Sequence, residues 1–320
     1  MTERWSSKGG RSYPARRGAP PPFEFFDEVR EAAGDAGFAL TLDAIRIEVS
    51  GLAHGLATDL AARYGIYARG DATGDPLRIR LAREPREYFI DPPSAAEFNP
   101  VWLAFDGTRV RYLSHQIAGW FDTAARRGEI LLSAGSFEPE LRALENYLRC
   151  AVAWCAAERG GALVHAASAV RDGRAYLFYG ESGAGKSTLS SVSTRGRVVS
   201  DDLSLVLPRS GGGLDLVGSP FRGTYEGGEP VVGRFPLAAA FRIVKAPAAE
   251  VRRAPRAIVF GQLVGNLTFV AEAFGPRPDL FASIEAAFSR VPLLHLHFRK
   301  DDSYWDAIDA WEARGQSPFS

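Results

Sequence analysis

The sequence predicts an α/β protein in which a small α+β region precedes a domain built on a mixed sheet. Three observations predict this fold. A glycine-rich segment, 180–188, lies between a strand-like run (YLFY) and a helical one (STLSSVS). Asp-Gly pairs at 106–107 and 172–173 each join two alternating runs, which is the pattern of a β-hairpin. Runs with helical spacing separate the alternating ones in both parts of the chain.

The composition limits the classes of protein to which the chain can belong. Its 320 residues suggest about two domains. The 38 basic residues are balanced by 38 acidic ones, which argues against nucleic acid or an anionic membrane as a partner. Only two cysteines are present, so a disulfide scaffold is excluded and a cytoplasmic location is expected. No apolar run reaches the roughly 18 residues of a membrane span.

Composition and turn signals divide the chain into three predicted parts. Residues 1–22 are rich in Pro, Gly and Arg and lack the apolar segment of a secretory signal, so they are predicted to be a disordered tail. Residues 23–135 form the predicted N-terminal α+β region, which we expect to provide recognition or oligomer contacts. Residues 136–320 form the predicted C-terminal domain.

The elements of the N-terminal region follow from the spacing of apolar residues. Helical spacing predicts helices over 23–38, 56–65 and 115–128. Alternation predicts strands over 44–49 and 76–83 and a hairpin over 101–113.

The elements of the C-terminal domain are predicted in the same way. The helix expected over 141–158 is stopped by two glycines, and a hairpin over 161–179 follows it. Residues 197–207 are predicted to form one strand that carries Asp201 and Asp202 at its middle. Trp305 and Trp311 are predicted to pack the last helix onto the rest of the domain.

The glycine-rich segment matches the pattern G-x-x-x-x-G-K-[ST] in the strand–turn–helix context that this pattern requires. Glycines let the backbone approach phosphates closely, and the helix N-terminus favours their negative charge. The alternative is a glycine-rich turn of no function. The sequence therefore predicts binding of ATP and Mg²⁺ by Gly180, Glu181, Ser182, Gly183, Ala184, Gly185, Lys186, Ser187 and Thr188. Within this set, Lys186 is assigned to the β- and γ-phosphates and Ser187 to the metal ion.

Two adjacent carboxylates, Asp201 and Asp202, follow Lys186 by fifteen and sixteen residues. Transport ATPases and helicases place their Mg²⁺-binding acid much further along the chain. A pair this close can hold Mg²⁺ with one carboxylate and accept a proton from an attacking hydroxyl with the other. We assign the metal to Asp202 and favour Asp201 as the base. The alternative is a solvated turn.

Residues 163–207, together with weaker matches at 218–223 and 293–308, resemble the HPr kinase/phosphorylase family. The features that carry the resemblance are His165 in a strand, the glycine-rich loop and the early Asp-Asp pair. The chain is most similar to the HPr kinase-related proteins of that family. Over residues 136–320 the resemblance implies a P-loop kinase fold, distantly shared with ATP-dependent phosphoenolpyruvate carboxykinase, whose central sheet is mixed.

The resemblance also implies roles for two further residues. His165 would bond and position an aspartate, whereas without the resemblance its place among apolar neighbours in a strand favours a buried core histidine. Arg222, in a loop bracketed by Gly and Pro, would clamp phosphate, and the alternative is an ordinary surface arginine. The motif E-[IVL]-R-G-[LIM]-G of the bifunctional enzymes is not found after the aspartates. Neither phosphorylase activity nor recognition of HPr is therefore expected.

The sequence as a whole predicts an ATP-dependent kinase of the monofunctional branch, with Asp201, Asp202, His165 and Arg222 as its catalytic residues. The acceptor implied by the resemblance is a Ser or Thr hydroxyl of a peptide or protein. One alternative stays open, namely a P-loop protein that hydrolyses nucleotide to switch conformation and has no phosphoryl acceptor. The sequence leaves homo-oligomer formation open as well.

Overall fold

The computed structural model describes residues 30–68, 74–92, 101–223, 225 and 227–314. They divide into two compact units, residues 30–155 and 156–314, and the division falls inside one long helix, Glu140–Ala157. The boundary predicted between 135 and 136 lies just before that helix. The predicted tail, 1–22, lies outside the described residues.

The first unit is a seven-stranded mixed sheet with two helices. Its strands lie in the order β1–β2–β3–β7–β6–β5–β4, and the pairs β2–β3 and β3–β7 are parallel while the others are antiparallel. The strands are β1 (Ala36–Leu42), β2 (Ile45–Leu52), β3 (Leu77–Glu84), β4 (Trp102–Asp106), β5 (Arg109–Leu113), β6 (Ile117–Asp122) and β7 (Arg127–Ser133). The helices are α1 (His54–Tyr64) and α2 (Glu140–Ala157).

Helix α2 covers one face of this sheet through an aromatic contact. The ring of Tyr147 packs edge-on against Tyr112 and Phe121, with centroid distances of 5.3 and 5.9 Å. Gly119 leaves the space for that ring, because a Cβ atom there would lie 2.4 Å from it. Helix α1, helix α2 and the β4–β5 hairpin confirm the corresponding predictions.

The predicted helix over 115–128 is wrong, because this segment forms β6, a turn and the start of β7. The reason lies in Asp122, whose carboxylate accepts N–H bonds from Ala124 and Ala125 and a bond from the Thr108 hydroxyl. These local bonds favour a turn over a helix. The helix predicted over 23–38 is also wrong for all of its described residues, 30–38. Residues 30–35 contain bends and an isolated bridge between Ala32 and Ala82, and residues 36–38 pair with β2 as part of β1. Residues 23–29 lie outside the described part.

The second unit is built on two sheets that share the strands β8 and β13. The strands are β8 (Ala162–Arg171), β9 (Arg174–Tyr179), β10 (Arg197–Ser200), β11 (Leu203–Pro208), β12 (Leu214–Val217), β13 (Arg234–Lys245), β14 (Glu250–Arg252) and β15 (Leu293–Phe298). The helices are α3 (Lys186–Val192), α4 (Arg256–Val264), α5 (Pro278–Phe288) and α6 (Tyr304–Ala313).

One sheet is antiparallel, in the order β8–β11–β12–β13, and the other is mixed, in the order β10–β8–β9–β13–β15–β14. In the mixed sheet β9, β13 and β15 are parallel neighbours. Because β9 pairs with both shared strands, the pairings β8–β11–β12–β13–β9 close into a five-stranded barrel. The predicted α/β class with a mixed sheet is thereby confirmed, and the predicted hairpin appears as β8–β9.

Helix α6 packs on the mixed sheet through its aromatic side chains, as predicted. Trp305 lies edge-on to Tyr176 with a centroid distance of 5.2 Å, and Trp311 lies edge-on to Phe241 at 6.0 Å. The indole of Trp305 also occupies the space beside Gly196, where a Cβ atom would lie 2.6 Å from the ring. These aromatic side chains form a buried core on the face of the sheet against which α3 packs.

Candidate active site

The glycine-rich segment connects β9, which ends at Tyr179, to α3, which begins at Lys186. Gly183 and Gly185 have φ angles of 79° and 114°, in the left-handed region that favours glycine. A Cβ atom on Gly185 would lie 3.4 Å from the ring of Phe298, so the backbone lies close over β15. These two glycines therefore fix a loop conformation that other residues rarely adopt.

The side chain of Lys186 is buried beneath this loop. Its Nζ donates hydrogen bonds to the carbonyl oxygens of Gly180, at 2.7 Å, and Glu181, at 3.3 Å. The ammonium group thus holds the first residues of the loop over the start of α3. It lies where it can also meet an anion bound in the loop.

The aspartate pair lies at a break between two strands and not in the middle of one, which corrects the predicted strand over 197–207. Strands β10 and β11 both pair with β8, and the register shifts between Val198 and Ser200. Ser200 Oγ accepts the N–H groups of Asp202 and Leu203, both at 3.1 Å, and thereby fixes the bend. Adjacent residues of a regular strand point to opposite faces, and this bend lets both carboxylates line one cavity.

His165 lies on β8 opposite Leu203 of β11, next to the break. Its Nε2 is 3.4 Å from Asp202 Oδ1, and both side chains are largely buried. The structure thus places His165 beside an aspartate, as the resemblance implies. The strand register produces this contact, so the sequence spacing alone could not have shown it.

Gly223 lies beside both carboxylates and was missed by the sequence reasoning, which singled out only its neighbour. Its N–H donates to Asp201 Oδ1 at 2.7 Å, and the N–H of Tyr225 donates to Oδ2 at 3.0 Å. A Cβ atom on Gly223 would lie 3.0 Å from both Asp201 Oδ2 and Asp202 Cβ, so a larger residue would displace the carboxylates. The sequence signal that could have pointed to Gly223 was a glycine in the loop that follows the two aspartates.

One cavity of about 180 Å³ brings these groups together. Its lining combines His165, Asp201, Asp202 and Gly223 with the loop residues Ser182, Gly183, Gly185, Lys186, Ser187 and Thr188. Gly180, Glu181 and Ala184 are not part of this lining. Pockets that enclose whole small ligands are typically 300–1,000 Å³. The cavity is smaller than this range and is open to solvent, so a larger ligand bound there would extend beyond it.

Arg222 lies outside the lining of this cavity, and its guanidinium binds backbone carbonyls. The Nε donates to Val199 O at 3.3 Å, Nη1 donates to Gly227 O and Gly228 O, and Nη2 donates to Glu229 O at 2.8 Å. These bonds tie the segment 218–233 to β10. Here Arg222 positions the loop, and its role as a phosphate clamp stays a prediction.

The donor set fits Mg²⁺. The Ser187 hydroxyl and the Asp202 carboxylate line the same cavity, and oxygen ligands are those that Mg²⁺ takes, usually one or two carboxylates with phosphate oxygens and waters. Across the described ranges there is no cluster of three or more His, Cys, Asp or Glu side chains that could hold a metal ion by themselves. Ser187 and Asp202 are the residues of this cavity that would hold Mg²⁺.

No protein-family model matches the chain, and no curated protein matches it. Among the helices that the structure describes, none is both long enough and apolar enough to cross a bilayer.

Proposed function

We propose that this protein is an ATP-dependent kinase that transfers the γ-phosphoryl group to a Ser or Thr hydroxyl of a peptide or protein. The single observation that supports the proposal best is the meeting of three elements in one cavity. These elements are the glycine-rich segment 180–188, which we now call the phosphate loop, the aspartate pair of Asp201 and Asp202, and His165. A P-loop kinase domain of the HPr kinase type also agrees with β9 lying between an antiparallel and a parallel neighbour.

The loop and Lys186 bind the nucleotide in this proposal. Backbone N–H groups around Gly183 and Gly185 surround the phosphates, and the ammonium of Lys186 neutralises the β- and γ-phosphates. Ser187 and Asp202 hold Mg²⁺, which when bound balances the charge on the phosphate oxygens. His165, at 3.4 Å from Asp202, keeps that carboxylate oriented toward the cavity.

Asp201 accepts the proton of the acceptor hydroxyl. The bond from the hydroxyl oxygen to the γ-phosphorus forms as the bond to the β–γ bridging oxygen breaks, and ADP leaves. The N–H groups of Gly223 and Tyr225 hold both oxygens of Asp201 in place. A carboxylate has about four lone-pair positions and can accept the hydroxyl in addition to backbone N–H groups.

The direction of the reaction and the class of acceptor follow from the resemblance. Since the arginine-bearing motif of the bifunctional enzymes is missing, we propose transfer to the acceptor without the reverse reaction that uses inorganic phosphate. The Ser or Thr acceptor is the one that this family uses. The following experiment tests the acceptor.

The test is whether nucleotide turnover depends on an acceptor. The protein, a Lys186→Ala variant and Mg-ATP labelled at the γ-position are incubated with and without a mixture of Ser- and Thr-containing peptides. We expect the peptides to accelerate ADP release and to carry the label on a hydroxyl, with neither effect in the variant. Label found only as inorganic phosphate, at a rate that no peptide changes, would favour the nucleotide hydrolase or switch instead.

A second prediction concerns Arg222→Ala. The four carbonyl contacts of its guanidinium are lost, so the segment 218–233 should loosen and Asp201 should lose its alignment. Misplacement of a catalytic group by about 1 Å can cost 10²-fold in rate, so we expect transfer to slow by up to about that factor while ATP binding changes little.

Hydrogen exchange across 218–233 and steady-state kinetics measure the two effects of Arg222→Ala. Arg222→Lys is the matched control, because it keeps the charge without the planar fork that reaches several carbonyls, and it should restore only part of the rate. Unchanged exchange together with an unchanged rate would make Arg222 an ordinary surface arginine.

A further inference from the structure

A row of basic side chains runs across the mixed sheet, starting beside the phosphate loop. Arg242 on β13 pairs with Tyr179 on β9 and with His295 on β15, and His295 pairs with Arg252 on β14. Directly paired residues lie on the same face of the sheet, on strands about 4.7–4.9 Å apart. We call Arg242, His295 and Arg252 the basic row.

The guanidinium of Arg242 lacks a hydrogen-bonded partner in the described part of the chain, although three-quarters of the side chain is buried. Its nearest carboxylate oxygen is Glu181 Oε1 at 3.8 Å, which is beyond hydrogen-bond distance. Glu181 itself is 87% exposed. An arginine has five N–H donors, and those of Arg242 can donate to a ligand that enters from the solvent. Such a side chain is suited to an anionic ligand.

Arg252, at the other end of the row, differs in this respect. Its guanidinium makes an ion pair with Glu250 at 2.7 Å, and both side chains are about half exposed. His295, between the two arginines, has its Nε2 3.3 Å from Gln262 Oε1. Burial, with the charge of Arg242 and then His297, lowers the pKa of His295. The positive charge is therefore least compensated at the Arg242 end.

The Arg242 end of the row lies at the rim of the phosphate loop. Tyr179, its partner on β9, immediately precedes the loop, and Glu181 belongs to it. A Cβ atom on Gly180 would lie 3.6 Å from the carbonyl oxygen of Ile243, the residue after Arg242. In the mixed sheet, β9 lies between β13 and β8. The aspartate pair lies on the far side of β8, between the strands β10 and β11 that pair with it. A triphosphate with its γ-end at the aspartates would extend its α-end toward β13.

We infer that Arg242 is a second cationic contact for the nucleotide, binding a phosphate on the nucleoside side of the triphosphate. When the nucleotide binds, the guanidinium of Arg242 leaves the distant Glu181 carboxylate and contacts phosphate oxygens instead. It can donate two parallel hydrogen bonds to them. This inference rests on the proposed function, since it concerns a nucleotide held in the same loop. It assigns the specific ligand class as nucleoside di- and triphosphates.

The test compares Arg242→Gln with Arg252→Gln, a matched change in the same row. Calorimetry gives the Kd of Mg-ADP and Mg-ATP for each protein, and melting without nucleotide checks folding. We expect Arg242→Gln to raise the Kd of Mg-ADP and that of Mg-ATP by the same factor, about tenfold or more. Charge-assisted hydrogen bonds contribute about 1.5–3 kcal/mol, and about 1.4 kcal/mol corresponds to a tenfold change in Kd. Arg252→Gln should change either Kd by less than about twofold, the size of a weak exposed ion-pair effect.

Several results would overturn the inference. One is an unchanged Kd in Arg242→Gln, and another is an equal loss of nucleotide affinity in Arg242→Gln and Arg252→Gln. A loss of affinity for Mg-ATP but not for Mg-ADP would also overturn it, as would weaker binding of the peptide acceptor with unchanged nucleotide binding. If the unaltered protein bound no nucleotide, the proposed function itself would fail. Binding that requires Lys186 but not Arg242 would contradict only the role of Arg242.

The exchange of partners can be tested separately with Glu181→Gln. Removing the competing carboxylate should tighten Mg-ADP binding a few-fold when Arg242 is present. In the Glu181→Gln, Arg242→Gln double variant the gain should be smaller, because no guanidinium remains to be released. An equal gain in both backgrounds would show that Glu181 repels the phosphates directly, and the exchange would be wrong.

Discussion

Lys186→Ala is expected to abolish ATP-dependent stabilisation and phosphoryl transfer while the fold persists. Its Nζ is the cation buried beneath the phosphate loop, bonded to the carbonyls of Gly180 and Glu181. The change removes the charge that meets the β- and γ-phosphates and also the two bonds that shape the loop. Loss of one preorganised donor typically lowers the rate roughly 10²–10³-fold. Because Lys186→Ala removes both the charge and the bonds that shape the loop, the rate should fall by more than this.

Thermal melting with and without Mg-ATP measures the binding part of this prediction. Lys300→Ala is the control, because Lys300 is exposed in the turn after β15 and should leave the nucleotide-dependent shift unchanged. Lys186→Met separates charge from volume, since it keeps a long apolar stem without the ammonium. Full stabilisation and activity in Lys186→Ala would mean that the loop does not bind the phosphates.

The elements that could be predicted from the sequence are those fixed by local interactions. The phosphate loop was predictable because glycines and a lysine at set spacing serve a local backbone conformation, and Gly183 and Gly185 do have positive φ angles. The β4–β5 hairpin was predictable for the same reason, as Gly107 occupies a turn position with φ of 58°. The helix over 115–128 failed because the bonds of one side chain, Asp122, outweighed helical spacing.

The contacts that could not be predicted depend on strand register and on distant segments. His165 meets Asp202 only because β8 pairs with β11 in a particular register. Gly223 is bonded to Asp201 through a loop that returns from β12. The closure of the barrel by β9 is likewise a long-range pairing with no local signature. The sequence therefore identified most of the residues that line the cavity, but not the pairings that bring them together.

The aspartate pair carries the second large prediction, because its two members have different surroundings. Asp201 is bonded to the N–H groups of Gly223 and Tyr225, whereas Asp202 lies beside His165. If Asp201 is the base, Asp201→Asn should still bind Mg-ATP yet transfer phosphate roughly 10²–10⁴-fold more slowly, the contribution of general base catalysis. If Asp202 holds the metal with Ser187, Asp202→Asn should lose the part of ATP binding that depends on Mg²⁺.

Two measurements on both variants separate these roles. Calorimetry with ATP, with and without Mg²⁺, reports metal-dependent binding, and single-turnover transfer to an acceptor peptide reports the chemical step. An asparagine at 201 would also turn an NH₂ group toward one of the two backbone N–H donors, so hydrogen exchange across 218–233 shows how far the loop has moved. His165→Gln is the matched control for the neighbour of Asp202, and it should weaken the Mg²⁺ dependence less than Asp202→Asn does. Equal loss of Mg-ATP binding in both aspartate variants would show that neither acts simply as a base, because a base takes the proton of the acceptor and has no part in holding the nucleotide.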